Sequence, residues 1–172
     1  MDSFDQVEEC IIETLENTAI FLRNNKMFRS TQWTKEIKKR LVELGTRFKY
    51  KSSTSTVEGC KDGEWLFDLI WYVNSEALSY TDRRLISLPL VVESEWNLEI
   101  EDIKTDFEKL LAARAEHRLM ICETPINRKE SILKCLEDSV QNFSLGYKGD
   151  RYLIAIWISD EKKFHFELIF KN

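Results

Sequence analysis

LPLVVESEWN, residues 88–97, is an apolar run of strand length into which Glu93 and Glu95 are set two positions apart. Side chains alternate faces along a strand, so two acids at that spacing point the same way. The apolar run before it, WLFDLIWYV at 65–73, carries a single charge, Asp68. Its alternation places Trp65, Phe67, Leu69 and Trp71 on one face, beneath covering helices, and Leu66, Asp68, Ile70 and Tyr72 on the other. A polar segment containing Asn74, Ser75, Asp82 and Arg83 separates the two runs, which predicts an antiparallel hairpin with an elaborated loop. In that pairing Asp68 shares a face with Glu93 and Glu95. Both runs are apolar on both faces, the pattern of strands in the middle of a covered sheet. On an edge strand the same acids would instead be charges that block edge-to-edge pairing.

Outward from this hairpin the period changes. Toward the N-terminus, residues 4–24 place Phe4, Val7, Ile11, Leu15, Thr18 and Leu22 at helical spacing. A second helix follows in TQWTKEIKKRLVELG, with Thr31 suited to cap it, Trp33, Ile37, Leu41 and Leu44 as its apolar stripe, and Gly45 suited to its end. FKYKSSTSTVEG alternates weakly, as a first strand. Toward the C-terminus, residues 101–115 predict a helix with Ile103, Phe107, Leu110 and Leu111 on one face, and HRLMICE predicts a short buried strand. RKESILKCLEDSVQNF is helical again through Ile132, Leu136 and Val140. RYLIAIWIS and KFHFELIFK then form a final hairpin around SDEK. The order is α, α, β, β, β, α, β, α, β, β: an α/β or α+β sandwich with a mixed central sheet covered by helices.

Composition bounds the function. With 172 residues, 43% of them hydrophobic, five Gly and two Pro, the chain suits a single domain over 1–172. MDSFDQVEEC is acidic and amphipathic rather than basic and then apolar, and no stretch is long and apolar enough to span a bilayer, so no membrane partner is expected and a cytoplasmic setting is. Cys10, Cys60, Cys122 and Cys135 show no paired spacing and read as free thiols. A net charge of −5 argues against tight nonspecific nucleic-acid binding. No glycine-rich phosphate loop is present, which disfavours nucleotide-dependent enzymes.

Three ionised carboxylates at one place repel one another, and burying them is costly unless a cation or donors compensate. A hard divalent cation does so well. Magnesium, or manganese in its stead, takes oxygen ligands and retains waters, so Asp68, Glu93 and Glu95 on rigid strands make an open, catalytic kind of metal site.

Helix, three strands, helix, strand, with an acid in the second strand and an acid-x-acid pair in the third, resembles the restriction-endonuclease-like PD-(D/E)XK nucleases. The resemblance covers residues 31–124. It implies an αβββαβ core with a mixed central sheet, to which an N-terminal helix and a C-terminal helix plus β-hairpin are added. Asp68 matches the first motif acid, with Phe67 where the motif names proline; Glu93 matches the second, and Glu95 stands where lysine is expected. The implied activity is magnesium-dependent hydrolysis of DNA, with Asp68, Glu93 and Glu95 as metal ligands and water-activating groups. Glu95 can serve as a base or ligand but cannot supply the positive charge of the missing lysine.

A displaced cation is therefore sought on the helix of 101–115. At about 100° per residue, Arg114 falls in the middle of the stripe of Ile103, Phe107 and Leu110, while Lys109 falls roughly 130° off its centre. Lys109 stays a candidate because some members of the resembled family carry their lysine on this helix. Glu36 and Glu43, on one flank of the second helix, lie where that family often places a supporting glutamate. The densest basic stretch, KKRLVELGTRFKYK, offers Lys38, Lys39, Arg40, Arg47, Lys49 and Lys51 to phosphates. The five tryptophans at stripe positions read as core rather than as base-stacking platforms. Two functions stand: a nuclease whose partner is DNA, in a monomer or a homodimer, and a nuclease-derived fold without catalysis that presents its acids to a protein partner.

Overall fold

The computed structural model describes residues 3–60, 65–76 and 79–172. The helical stripes become α1 (Gln6–Asn24), α2 (Ser30–Arg47), α3 (Ile100–Ala112) and α4 (Lys129–Asn142). The strands are β1 (Lys51–Thr54), β2 (Leu69–Asn74), β3 (Leu85–Glu95), β4 (His117–Thr124), β5 (Arg151–Ile158) and β6 (Lys163–Phe170). This reproduces the predicted order of elements. All six strands join one mixed sheet in chain order. β2 is antiparallel to both β1 and β3, the α3 and α4 crossovers make β3, β4 and β5 parallel, and β6 returns antiparallel.

Strand alternation divides the core into two layers, one on each face of the sheet. Leu90, Val92, Leu119, Ile121, Leu153 and Trp157 face α1 and α2, which contribute Ile11, Leu15, Leu22, Trp33, Ile37 and Leu41. Val91, Met120, Cys122, Ile154 and Ile156 face α3 and α4, which contribute Ile103, Phe107, Leu110, Ile132, Leu136 and Val140. Fully burying each of these side chains contributes about 1.5–3 kcal/mol, so the sandwich rests on both layers.

Three local expectations need correction. Strand β2 begins only at Leu69, because residues 65–68 bend out of the ladder. Leu69 and Trp71 do lie buried beneath α1 and α2, but Phe67 packs against the opposite layer and Trp65 is 49% exposed. Thr31 does not cap α2, whose N-cap is Arg29. Nor does Gly45 end that helix: it runs on to Arg47 and closes through Lys49, at φ 63°, with Tyr50 N–H donating to the Gly45 carbonyl and Lys49 N–H to that of Thr46.

Gly45 serves a different need, the close approach of α2 to the sheet. A Cβ there would lie 2.6 Å from Trp71 Nε1 and 2.9 Å from its Cδ1. The indole is fully buried and donates to the Leu41 carbonyl at 3.0 Å, so it has nowhere to retreat. Gly45→Ala should destabilise the fold by about 1–3 kcal/mol of overpacking, in spite of alanine's better helix propensity. A urea melt in which the variant equals or exceeds the parent would show that this contact yields easily.

Candidate functional site

The ladder between β2 and β3 closes with Leu69 opposite Val92. Asp68 and Glu93 stand one position beyond that pair, which is why a charge placed in each apolar run ends at the same end of the sheet. Asp68 turns to cap the end of β3. Its Oδ2 accepts from Ser94 N–H at 2.9 Å and Ser94 Oγ at 2.7 Å, while its Oδ1 receives Lys38 Nζ at 3.1 Å. Its main-chain carbonyl is held by Thr54 Oγ1 at 2.6 Å.

Glu93 follows Val91 on the α3 side of β3 and is buried, with 3% of its surface exposed. One oxygen, Oε2, lies 3.4 Å from Lys109 Nζ; the other, Oε1, is buried without a hydrogen-bond partner. Burial, and after it the charge of Asp68, push the Glu93 carboxyl up to about 7, against the smaller opposing pull of Lys109. Lys109 in turn donates to Asp106 Oδ1 at 2.6 Å, and chiefly through that bond its ammonium is held above the usual lysine range. Glu95 lies on the same face as Glu93, beside Cys122, whose thiol is pushed up to about 12 by burial and the Glu95 charge. Its Oε1 accepts from Asn97 N–H at 2.6 Å.

The structure thus gathers Asp68 and Glu93, with Lys38 from α2 and Lys109 from α3 as their cations. Lys38 is 5% exposed and committed to the acid site, so it does not join a phosphate-facing basic surface. Lys39, Arg47, Lys49 and Lys51 are exposed. The geometric preference for Arg114 over Lys109 is reversed, because α3 stops at Ala112 and the chain is extended at Ala113. Arg114 lies over the Tyr147 ring, 4.0 Å from its centroid, and donates to Tyr147 Oη at 2.9 Å. Glu36 and Glu43 are taken up by Arg40 on the surface of α2, at 2.8 and 3.9 Å. The role of Lys38 was missed because a lysine inside a basic run carries no mark of burial. The only hint is its place beside Ile37 and Leu41 of the stripe.

Among the described residues, Asp5, Glu8 and His117 are the one group of three potential ligands whose ligand atoms all lie within 4.8 Å of one another. Its valences are already filled. Glu8 closes the capping box of α1 with Asp5 and takes both an Nε and an Nη of Arg151; His117 Nε2 lies 2.8 Å from Asp5 Oδ2, and its Nδ1 3.0 Å from the Pro89 carbonyl. This is a clasp that ties the first turn of α1 to β4 and β5, with the Arg151 guanidinium already paired to both oxygens of Glu8.

No family model, curated protein or solved structure matches this chain. No helix among the described residues is long and apolar enough to cross a membrane.

Proposed function

We propose that the protein is a magnesium-dependent DNA nuclease with a restriction-endonuclease-like core formed by α2, β1, β2, β3, α3 and β4. The observation that carries this reading is Glu93, a carboxylate held in the sheet beside a second carboxylate with one oxygen buried and unpaired. Leaving such an atom unsatisfied costs about 1–3 kcal/mol or more, which a fold tolerates where the atom has a ligand to meet. Magnesium binds through one or two carboxylates plus waters and substrate phosphates, and Glu93 with Asp68 beside it would offer that many, while Glu95 does not join them in a group of three whose ligand atoms all lie within 4.8 Å of one another. The metal would lower the pKa of a bound water and neutralise charge on the phosphate.

The rest falls to the chain itself. Lys109 supplies the cation that Glu95 cannot. Paired with Asp106, it remains protonated and acts by hydrogen bonding and charge toward the phosphate rather than as a base. Lys38 holds Asp68 in place and offsets its charge.

Cleavage of duplex and single-stranded DNA with magnesium or manganese tests the reading. Asp68→Asn, Glu93→Gln and Lys109→Ala should each lose at least about 100-fold in rate, as removal of a preorganised charge does. Unchanged rates in both carboxylate variants would place the chemistry elsewhere. The second reading, a noncatalytic module, is favoured by Asp68, both of whose oxygens are occupied from within the chain. Absence of cleavage by the parent on either form of DNA with either metal would decide for it.

A further inference from the structure

A cleft of about 460 Å3 opens where the chain leaves β3, β4 and β5, on the α1 and α2 side of the sheet. Its size is that of a small-molecule site, about 300–1,000 Å3. Register builds the floor. Glu123 pairs with Trp157 across β4 and β5, and Glu95 pairs with Cys122, which brings Trp96 alongside Glu123. Trp33 of α2 closes over this row, with ring centroids 4.5 Å from Trp157 and 5.8 Å from Trp96. Phe28, in the link between α1 and α2, is 74% exposed at the mouth. Arg23 and Lys162 stand at the rim, joined by a bond from the arginine to the Lys162 carbonyl.

Glu123 is the unusual member. It is a half-buried carboxylate in an aromatic wall, and no hydrogen bond or ion pair from a described residue reaches it; burial alone pushes its carboxyl above the usual range. It needs donors. Two cations at the rim oppose an ammonium ligand, the other common guest of an aromatic box, and favour one that carries phosphate. An aromatic wall with a lone carboxylate is the complement of a planar base whose edge presents hydrogen-bond donors. Guanine presents two neighbouring donors, N1–H and N2–H, to match the two carboxylate oxygens. Adenine and cytosine present one amino group beside an acceptor, and thymine one imino group between two acceptors.

We propose that this cleft binds an unpaired guanine, stacked on the free surface of Trp96 and Phe28, with its N1–H and N2–H donated to Glu123 and its phosphates at Arg23 and Lys162. The base preference rests on the cleft alone. That the guanine belongs to a single strand of DNA rests on the nuclease reading, since the cleft opens at the same end of β3 as Asp68 and Glu93, although Glu93 faces the other side of the sheet.

Binding is measured by fluorescence anisotropy in EDTA, so that it is independent of cleavage, with labelled oligodeoxythymidine and the same strand carrying one central guanine. The guanine strand should bind at least about tenfold more tightly, the discrimination a bidentate pair provides. Glu123→Gln should abolish that preference. Lys162→Asn, which keeps the left-handed backbone at φ 54° accessible, should weaken both strands and flatten the salt dependence. Trp96→Ala should weaken both. Competition by free dGMP as strong as by the guanine strand would support the pocket and assign it to a nucleotide rather than a polymer. Equal affinity for the two strands, or a preference that survives in folded Glu123→Gln, would overturn the proposal. Cleavage without guanine preference would remove this inference only, and guanine preference without cleavage would remove the nuclease reading only.

Discussion

Glu93→Gln should raise the thermal midpoint of the metal-free protein at pH 8 by roughly 5–10 °C while leaving it almost unchanged at pH 4.5. The sign follows from the direction of the shift. Burial and Asp68 hold the folded carboxyl to about 7, whereas its ordinary value is 4.5. Below 4.5 both states are protonated and ionisation plays no part. Between 4.5 and 7 the unfolded chain sheds the proton while the folded chain keeps it, so stability falls as pH rises. Above 7 the loss is complete, about 3 kcal/mol for the shift. Glutamine has nearly the same volume, still accepts from Lys109 and carries no titrating group, so the variant escapes that loss. Magnesium should reverse the ranking at pH 8 by stabilising the parent and not the variant, since a ligand that binds only the folded state raises its stability. A parent and variant that melt together across the whole pH range would show that Glu93 ionises freely in the fold, and the unpaired oxygen would lose its meaning.

The order of elements and the two-layer core were legible because the chain uses regular periods. Ile11, Leu15 and Leu22, or Ile103, Phe107 and Leu110, can satisfy helical spacing in only one way, and all are buried. The meeting of Asp68 with Glu93 was legible too, since Asp68 is the sole acid of its apolar run, Glu93 is the first acid of its own, and antiparallel pairing sets the two level. Illegible were features decided by where an element stops. Arg114 lies on the extrapolated stripe of α3, but the helix ends two residues earlier, and with it the angular argument. Trp65 and Phe67 alternate correctly on paper, yet the ladder has not begun at their positions. Lys38 and Lys109 belong to a third class, side chains long enough to reach a partner far along the chain. Periodicity reports the direction of Cβ and not the reach of the three methylenes and ammonium beyond it.

The same gap separates the two carboxylates in their effect on stability. From like-charge repulsion alone, amide substitution at Asp68 and at Glu93 should each leave a metal-free protein at least as stable as the parent. The structure divides them, and Asp68→Asn should melt lower. Lys38 is 5% exposed, and its ammonium lies 3.1 Å from Asp68 Oδ1. Removing one partner of a buried ion pair costs about 3–5 kcal/mol, and with 24% of the Asp68 side chain open to solvent the lower end applies. The amide adds a second cost. Asp68 accepts from donors on both oxygens, so whichever way the asparagine turns, its NH2 faces either Lys38 or the Ser94 N–H and hydroxyl. Relief of the repulsion on Glu93 acts the other way, but Asp68 ranks behind burial among the causes of that shift and does not make up the difference. Adding Lys38→Met to Asp68→Asn should recover part of the loss, because removing both charges costs less than stranding one. Urea melts of the parent, the two single variants and the double variant in EDTA measure the coupling. If Asp68→Asn proves as stable as the parent, repulsion between the acids outweighs the Lys38 pair, and Asp68 is held in place by the fold around it rather than by its own hydrogen bonds.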